Sequence, residues 1–326
     1  MGRHPKTWDS AETARRYEGL GLDLSMISRT VVIIAGPTAS GKSGLALALA
    51  ERLNGEVINA DSMQLYHELS VLTARPGRAA LAAVPHRLYG VSSASERYSV
   101  ARWRDQALIA IAETQAAGRV PIVVGGTGLY LRALMAGLAE IPEIPPEIRA
   151  AAQARFLALG GAGLHAELAR QDPATAGRLN PSDRQRLIRA WEVLTATGRS
   201  LTDWLAEAPA RPPPDLDFTV VVLDPPRPAL YEACNGRFLA MIEAGALDEV
   251  RRLDALGLAP DRPALKALGV PELRRHLTGE LALTQAVALA QQATRNYAKR
   301  QVTWFRHQLI DTSEWPITVL REPPKL

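Results

Sequence analysis

A chain with a single cysteine, Cys234, can hold no internal disulfide and no cysteine-built zinc site, and a reducing cytoplasm suits it best. Long apolar runs are missing too. None approaches the ~20 residues that cross a bilayer, and the N-terminus lacks the apolar centre of a secretory signal. The histidines His86, His165, His276 and His307 show no ligand spacing, and no repeat of fixed period is visible. Charge of one sign is scarce as well. A formal net charge of +4 over 326 residues is too small for a blanket nucleic-acid coat, so any such contact must come from local clusters. What remains is ordinary globular composition, long enough for one large domain carrying a smaller one.

The strongest positive signal is a phosphate loop. Gly36, Pro37, Thr38, Ala39, Ser40, Gly41, Lys42 and Ser43 spell G-x-x-x-x-G-K-[ST]. A β-branched run over 30–35 precedes it and a leucine-faced helical stretch over 44–52 follows, which is the strand–loop–helix setting the motif requires. The glycines let successive N–H groups face phosphate oxygens, and the helix N-terminus adds its positive end. Lys42 supplies a mobile positive charge, and the Ser43 hydroxyl is placed to ligate Mg²⁺. Such a loop reads a diphosphate and not a base, so ATP does not follow from it.

Further strands are expected over 56–60, 87–91, 119–124 and 218–223, with helices between most of them, notably over 101–117. That alternation predicts an α/β fold, a P-loop NTPase-like parallel sheet flanked by helices. Ligands in such sheets sit beyond the carboxyl ends of the strands. Three loaded segments lie there: the phosphate loop, Asp61-Ser62-Met63-Gln64, and Gly125-Gly126-Thr127. Asp61 can ligate Mg²⁺, act as a general base, or cap a following helix. The fourth strand ends in glycines and a hydroxyl where many phosphate-loop nucleotidases carry an acid. These glycines permit close backbone approach to a ligand, and Thr127 can donate to an oxygen.

Residues 141–214 change texture to helices without strands, bracketed by proline clusters, and read as an all-helical insertion. The core is then 30–140 together with 215–326, helical after the fifth strand nearly to its end. Residues 1–29 form a loose extension, with Met26 an alternative start. Within the insertion, Leu187, Trp191 and Leu194 make one face of a helix; Gln185, Arg186 and Arg189 make the other, a solvated face or a phosphate-contact strip. Near the C-terminus Arg295, Lys299 and Arg306 share a stripe opposite Ala290, Ala293, Tyr297 and Trp304. That stripe is either solvated or a track for a nucleic-acid backbone.

Taken together, GPTASGKS, DSMQLY, VPH before the third strand, VGGTGLY, SDRQRLIRAWEV, GRF around Arg237 and YAKRQVTWFR resemble the bacterial tRNA dimethylallyltransferases, in order from residue 31 to about 307. The resemblance implies transfer of a dimethylallyl group from dimethylallyl diphosphate to the exocyclic amine of adenosine-37, beside the anticodon, in tRNAs reading codons that begin with U. It implies that the phosphate loop holds the diphosphate with Mg²⁺, that Asp61 is the general base, that Thr127 contacts the reacting centre, and that Arg237 faces the diphosphate. Ser62, Met63 and Gln64 would line the nucleotide site. Arg149, Gln185, Arg186, Leu187, Ile188 and Arg189 would contact the anticodon stem-loop. A cytoplasmic monomer without membrane contact is expected. The chain departs from the family pattern at Ala233, where an arginine is frequent, at Leu268-Gly269-Val270, and at Arg75. A phosphate-loop kinase of small metabolites is the competing reading; it explains neither the Gln-Arg strip nor the C-terminal basic helix.

Overall fold

The computed structural model describes residues 30–207, 216–311 and 315–322. The 1–29 extension, the prolines at 212–214 and the Pro323-Pro324 tail lie outside them. The chain divides into two compact units, Met1–Met135 with Pro213–Leu326, and Ala136–Pro212.

The first unit holds a six-stranded sheet in the order β3-β2-β4-β1-β5-β6, from β1 (Thr30–Ala35), β2 (Gly55–Asn59), β3 (His86–Arg87), β4 (Val120–Gly125), β5 (Asp217–Leu223) and β6 (Ile317–Leu320). Every pairing is parallel. Alternate residues feed opposite cores, as the period of two demands. Val31, Ile33, Val123 and Val220 pack beneath Trp103, Leu131 and Phe305, whereas Val32, Ile34, Ile122 and Val221 pack against Leu45 and Leu49. Helices α1 (Lys42–Leu53), α2 (Arg78–Ala83), α3 (Val100–Ala116) and α4 (Gly128–Ala136) connect or cover the first four strands.

Two strand expectations need correction. The third strand covers only His86–Arg87, because Leu88 and Gly90 turn into the left-handed region at φ 61° and 60°. A sixth strand, Ile317–Leu320, extends the sheet beside β5 where the chain was read as helical. Its only sequence signal is the short β-branched run after Pro316.

The second unit is helical among its described residues: α5 (Pro146–Gln171, kinked at Gly160), α6 (Pro173–Ala176), α7 (Arg184–Thr197) and α8 (Leu201–Glu207). Its own core joins Leu164, Leu168, Leu187 and Ile188. After β5 the first unit continues through α9 (Arg227–Glu243), α10 (Ala246–Asp254), α11 (Val270–Leu277) and α12 (Leu283–Phe305).

Helix α12 buries Ala286, Ala290, Thr294, Ala298, Gln301 and Phe305; of the expected stripe only Ala290 is fully buried, while Ala293, Tyr297 and Trp304 are half-buried at its margin. Two polar residues shift the stripe because each is satisfied inside. Thr294 Oγ1 donates to the Ala290 carbonyl at 2.8 Å, and Gln301 bonds to two other segments. Apolarity alone could not place them.

Candidate active site

The loop after β1 turns through Gly41, whose φ of 88° suits glycine, into α1. With Asp61, Gln64, Ala233 and Arg237, residues 38–44 line a cavity of about 350 Å³. Lys42, the first residue of α1, bends its ammonium onto the Pro37 carbonyl at 3.2 Å. Loss of water on burial pulls the Lys42 pKa down to about 8, against the opposing pull of the Asp61 carboxylate. Burial likewise lowers the Arg237 pKa, again opposed by Asp61. The Arg237 guanidinium donates to the Thr38 hydroxyl. Lysine, arginine and carboxylate therefore share one field.

The acid is set by its own strand. Asn59, fully buried at the end of β2, accepts from the Asp61 amide at 2.8 Å and donates to the Asp61 carbonyl at 2.9 Å. Its second amide hydrogen goes to the Leu88 carbonyl at 2.9 Å, and Trp103 Nε1 donates to the Asn59 carbonyl at 2.8 Å. With the backbone gripped on both sides, Asp61 Oδ1 accepts from the Met63 amide at 3.0 Å. That bond closes a short turn, and the next helix begins only at Arg78, so Asp61 caps no helix. One oxygen is thus orientated, and the other, Oδ2, carries no protein hydrogen bond among the described residues.

Thr127 stands at the start of α4, and its hydroxyl accepts from the Ser62 amide at 3.0 Å and donates to Ser62 Oγ at 3.3 Å. A Cβ on Gly125 would lie 2.1 Å from the Ala60 carbonyl oxygen, and one on Gly126 would lie 2.3 Å from Gln301 Nε2. These glycines let the chain approach the residue after β2 and the Gln301 side chain of α12, and Gly125 also lines the cavity beside the phosphate loop.

Gln301 lies within the YAKRQVTWFR segment, where nothing in the sequence separates it from a solvated polar residue. Its oxygen accepts from the Thr38 amide at 2.8 Å and its nitrogen donates to the Gly126 carbonyl at 2.8 Å. It clasps the phosphate loop to the turn that carries Thr127. Asn59 had one sequence signal, an asparagine at the end of a β-branched run two residues before the acid.

The phosphate loop, Asp61, Gln64 and Arg237 thus meet in the first unit, with Ser62 and Thr127 bonded alongside. Gln64 Nε2 donates to the Thr73 and Ala74 carbonyls at 2.8 and 3.2 Å, and Met63 packs against the helical core. Ala233 lines the cavity one turn before Arg237. Arg149, Gln185, Arg186 and Arg189 belong to the second unit. Leu187 and Ile188, carried over as tRNA contacts, are instead packed in that unit's core, and only Gln185, Arg186 and Arg189 leave it. Trp191 and Leu194 are half-buried, so the inward face of α7 is turned toward Leu187, Ala190 and Val193. On α12, Arg295 donates to the neutral side chains of Asn235 and Gln292, which fix its direction and leave its charge unpaired by any carboxylate among the described residues.

The donor set fits Mg²⁺. Ser43 and Asp61 line one cavity, and the buried Ser40 hydroxyl beside them has no hydrogen-bond partner. Few protein oxygens, with the rest from water and diphosphate, is the usual magnesium arrangement.

A parallel sheet with a glycine loop after its central strand, a lysine and an arginine around a cavity, and an acid after a nearby strand define an α/β protein of the phosphate-loop class. The family model for IPP transferase matches residues 64–308, and the chain belongs to that family. It is 64% identical over 282 residues to a tRNA dimethylallyltransferase of Rhodospirillum centenum, covering 86% of this chain and 90% of the relative. A Paramagnetospirillum magneticum protein of the same name is 54% identical, with 88% and 91% covered. Among solved structures, a tRNA isopentenylpyrophosphate transferase from Bacillus halodurans superposes with a TM-score of 0.62 at 34% identity, covering 89% of this chain and 90% of that one. A eukaryotic dimethylallyltransferase described as acting on tRNA gives 0.76 at 28%, with 91% and 74% covered.

Proposed function

We propose that this protein transfers the dimethylallyl group of dimethylallyl diphosphate to the exocyclic amine of adenosine-37 in tRNA, releasing diphosphate. The observation that carries the reading is that Asp61 and the phosphate loop line the same cavity. An adenine amine is a weak nucleophile because its lone pair is delocalised into the ring. It attacks the allylic carbon as Asp61 Oδ2 removes its proton, the new N–C bond forms, and the C–O bond to diphosphate breaks with its electron pair leaving on oxygen. Lys42, Arg237 and the loop amides receive the developing charge. Mg²⁺ held by Ser43 supplies further charge neutralisation on the diphosphate when bound. Thr127 holds the Ser62 amide and so keeps the acceptor side of the cavity in place.

A stacked adenosine cannot reach a base at a strand edge, so the nucleotide is extruded, at a cost of roughly a few kcal/mol met by contacts elsewhere on the anticodon stem-loop. Arg149, Gln185, Arg186 and Arg189 are the residues for those contacts. The reading describes a cytoplasmic monomer. Family membership disfavours the metabolite kinase. Incubation with radiolabelled dimethylallyl diphosphate, Mg²⁺ and bulk tRNA should move label into tRNA. ATP hydrolysis with no label in tRNA would overturn the proposal.

A further inference from the structure

A second cavity of about 350 Å³ opens on the same carboxyl edge of the sheet, beyond β5 and β6. It shares no lining residue with the diphosphate cavity. Leu230 and Val302 line it and pack, together with Cys234 and Ala298, against Ala39 of the phosphate loop, so a thin apolar wall adjoins that loop. Its polar lining is dominated by Arg227, Lys299, Arg306 and Arg321, with Asp224 the one carboxylate. Asp224 is taken up by Arg306 at 2.8 Å. Arg227 donates to the Tyr231 hydroxyl at 2.9 Å and lies over its ring. Lys299 and Arg321 are exposed and form no ion pair among the described residues.

We propose that this cavity seats backbone phosphates of the tRNA substrate, a role that rests on the prenyl-transfer reading. Its chemistry differs from that of the diphosphate cavity in a telling way. No glycine loop offers amides here; the donors stand on long side chains that face solvent. Separate, mobile point charges match phosphates spaced along a strand, whereas a compact diphosphate is matched by converging amides. The Arg306–Asp224 pair fits the same use, because a phosphate takes the place of one carboxylate on an arginine already held in position. Net charge on the whole chain is small, so affinity for a polyanion has to be concentrated in clusters of this kind.

The test is a set of tRNA titrations over a range of salt with the full-length protein, comparing the Lys299→Ala/Arg321→Ala double variant with the unaltered chain. The double variant should bind more weakly by a similar factor across substrate tRNAs. Its slope of log affinity against log salt should be shallower by roughly 2 units, one per cation removed. KM for dimethylallyl diphosphate should not change. Asp224→Asn, which frees Arg306, should instead tighten tRNA binding severalfold, a gain that a damaged fold cannot produce. Unchanged affinity and slope in the double variant, or a raised KM for dimethylallyl diphosphate, overturns the assignment. So does inorganic diphosphate binding that falls in step with tRNA binding. If the unaltered chain binds no tRNA at all, it is the prenyl-transfer reading that fails.

Discussion

Thr38 and Gln301, 263 residues apart in sequence, are joined by a 2.8 Å hydrogen bond from the Thr38 amide to the glutamine side-chain oxygen. One amide of the diphosphate loop is thereby committed to the protein, and the other end of the same side chain holds Gly126. The donor loop and the acceptor turn are fixed to each other through one buried residue. Gln301→Leu leaves both partners unsatisfied, at a cost of about 1–3 kcal/mol, and should raise KM for dimethylallyl diphosphate while lowering kcat. Gln301→Glu is the sharper test. As the neutral acid it can accept from Thr38 and donate to Gly126, and burial favours that form. Its kcat should approach the normal value at low pH and fall as pH rises through the raised pKa of the new acid. A flat kcat ratio across pH would remove Gln301 from the alignment of the two sides.

Asp61→Asn should lower single-turnover rates by roughly 10²–10⁴-fold, the usual contribution of a general base, with tRNA affinity little altered. The replacement keeps the acceptor toward the Met63 amide, so the turn should survive. Near-normal rates would place the base elsewhere.

Lys42, with its pKa pulled down to about 8, should make binding of inorganic diphosphate depend on pH. The charged form binds, and it is depleted as pH rises through 8, so affinity should decline above that point and level off below it. Lys42→Ala should bind weakly and lose this inflection. An inflection that persists in Lys42→Ala would belong to another group.

On α7, Arg186 is the better probe of the polar strip than Arg189. Arg189 lies 3.6 Å from Glu192, which is nearly buried, so its removal strands a carboxylate, whereas Arg186, 72% exposed, pairs at 3.3 Å with Asp183, whose carboxylate stays in reach of water. Arg186→Ala should weaken tRNA binding and make the salt slope shallower by roughly one unit, with turnover of bound tRNA intact. Unaltered affinity and slope would mean that this face is only solvated.

Ala233→Arg adds a second cation one turn from Arg237 and on the cavity wall. It should lower KM for dimethylallyl diphosphate without changing tRNA affinity. A raised KM would show that the cavity has no room for a second arginine on α9.

The sheet and the loop were legible because β-branched runs and a glycine motif act locally: β1, β4 and β5 lie within a residue or so of their expected places. Asp61 was legible for the same reason, as an acid at a strand end. Residues whose role comes from distant partners were not. Gln301 looks like one more polar position on an amphipathic helix until Thr38 and Gly126 are brought beside it. Leu187 and Ile188 fell inside a motif read as a contact strip, but the side-chain direction of a helix turned them inward. The short strand at Ile317–Leu320 draws its stability from β5, not from its own composition.

Strand order makes the sheet a ruler. The acid follows β2, the diphosphate loop follows β1, and β4 lies between them. Neighbouring strands stand about 4.8 Å apart, so the two chemical ends are set roughly 10 Å from one another by backbone alone. The reacting carbon is bonded directly to the diphosphate, so its position is measured from the loop whatever hydrocarbon lies beyond it. Lengthening the prenyl tail should therefore alter how tightly the donor is held, while the rate of the fully bound complex stays nearly constant.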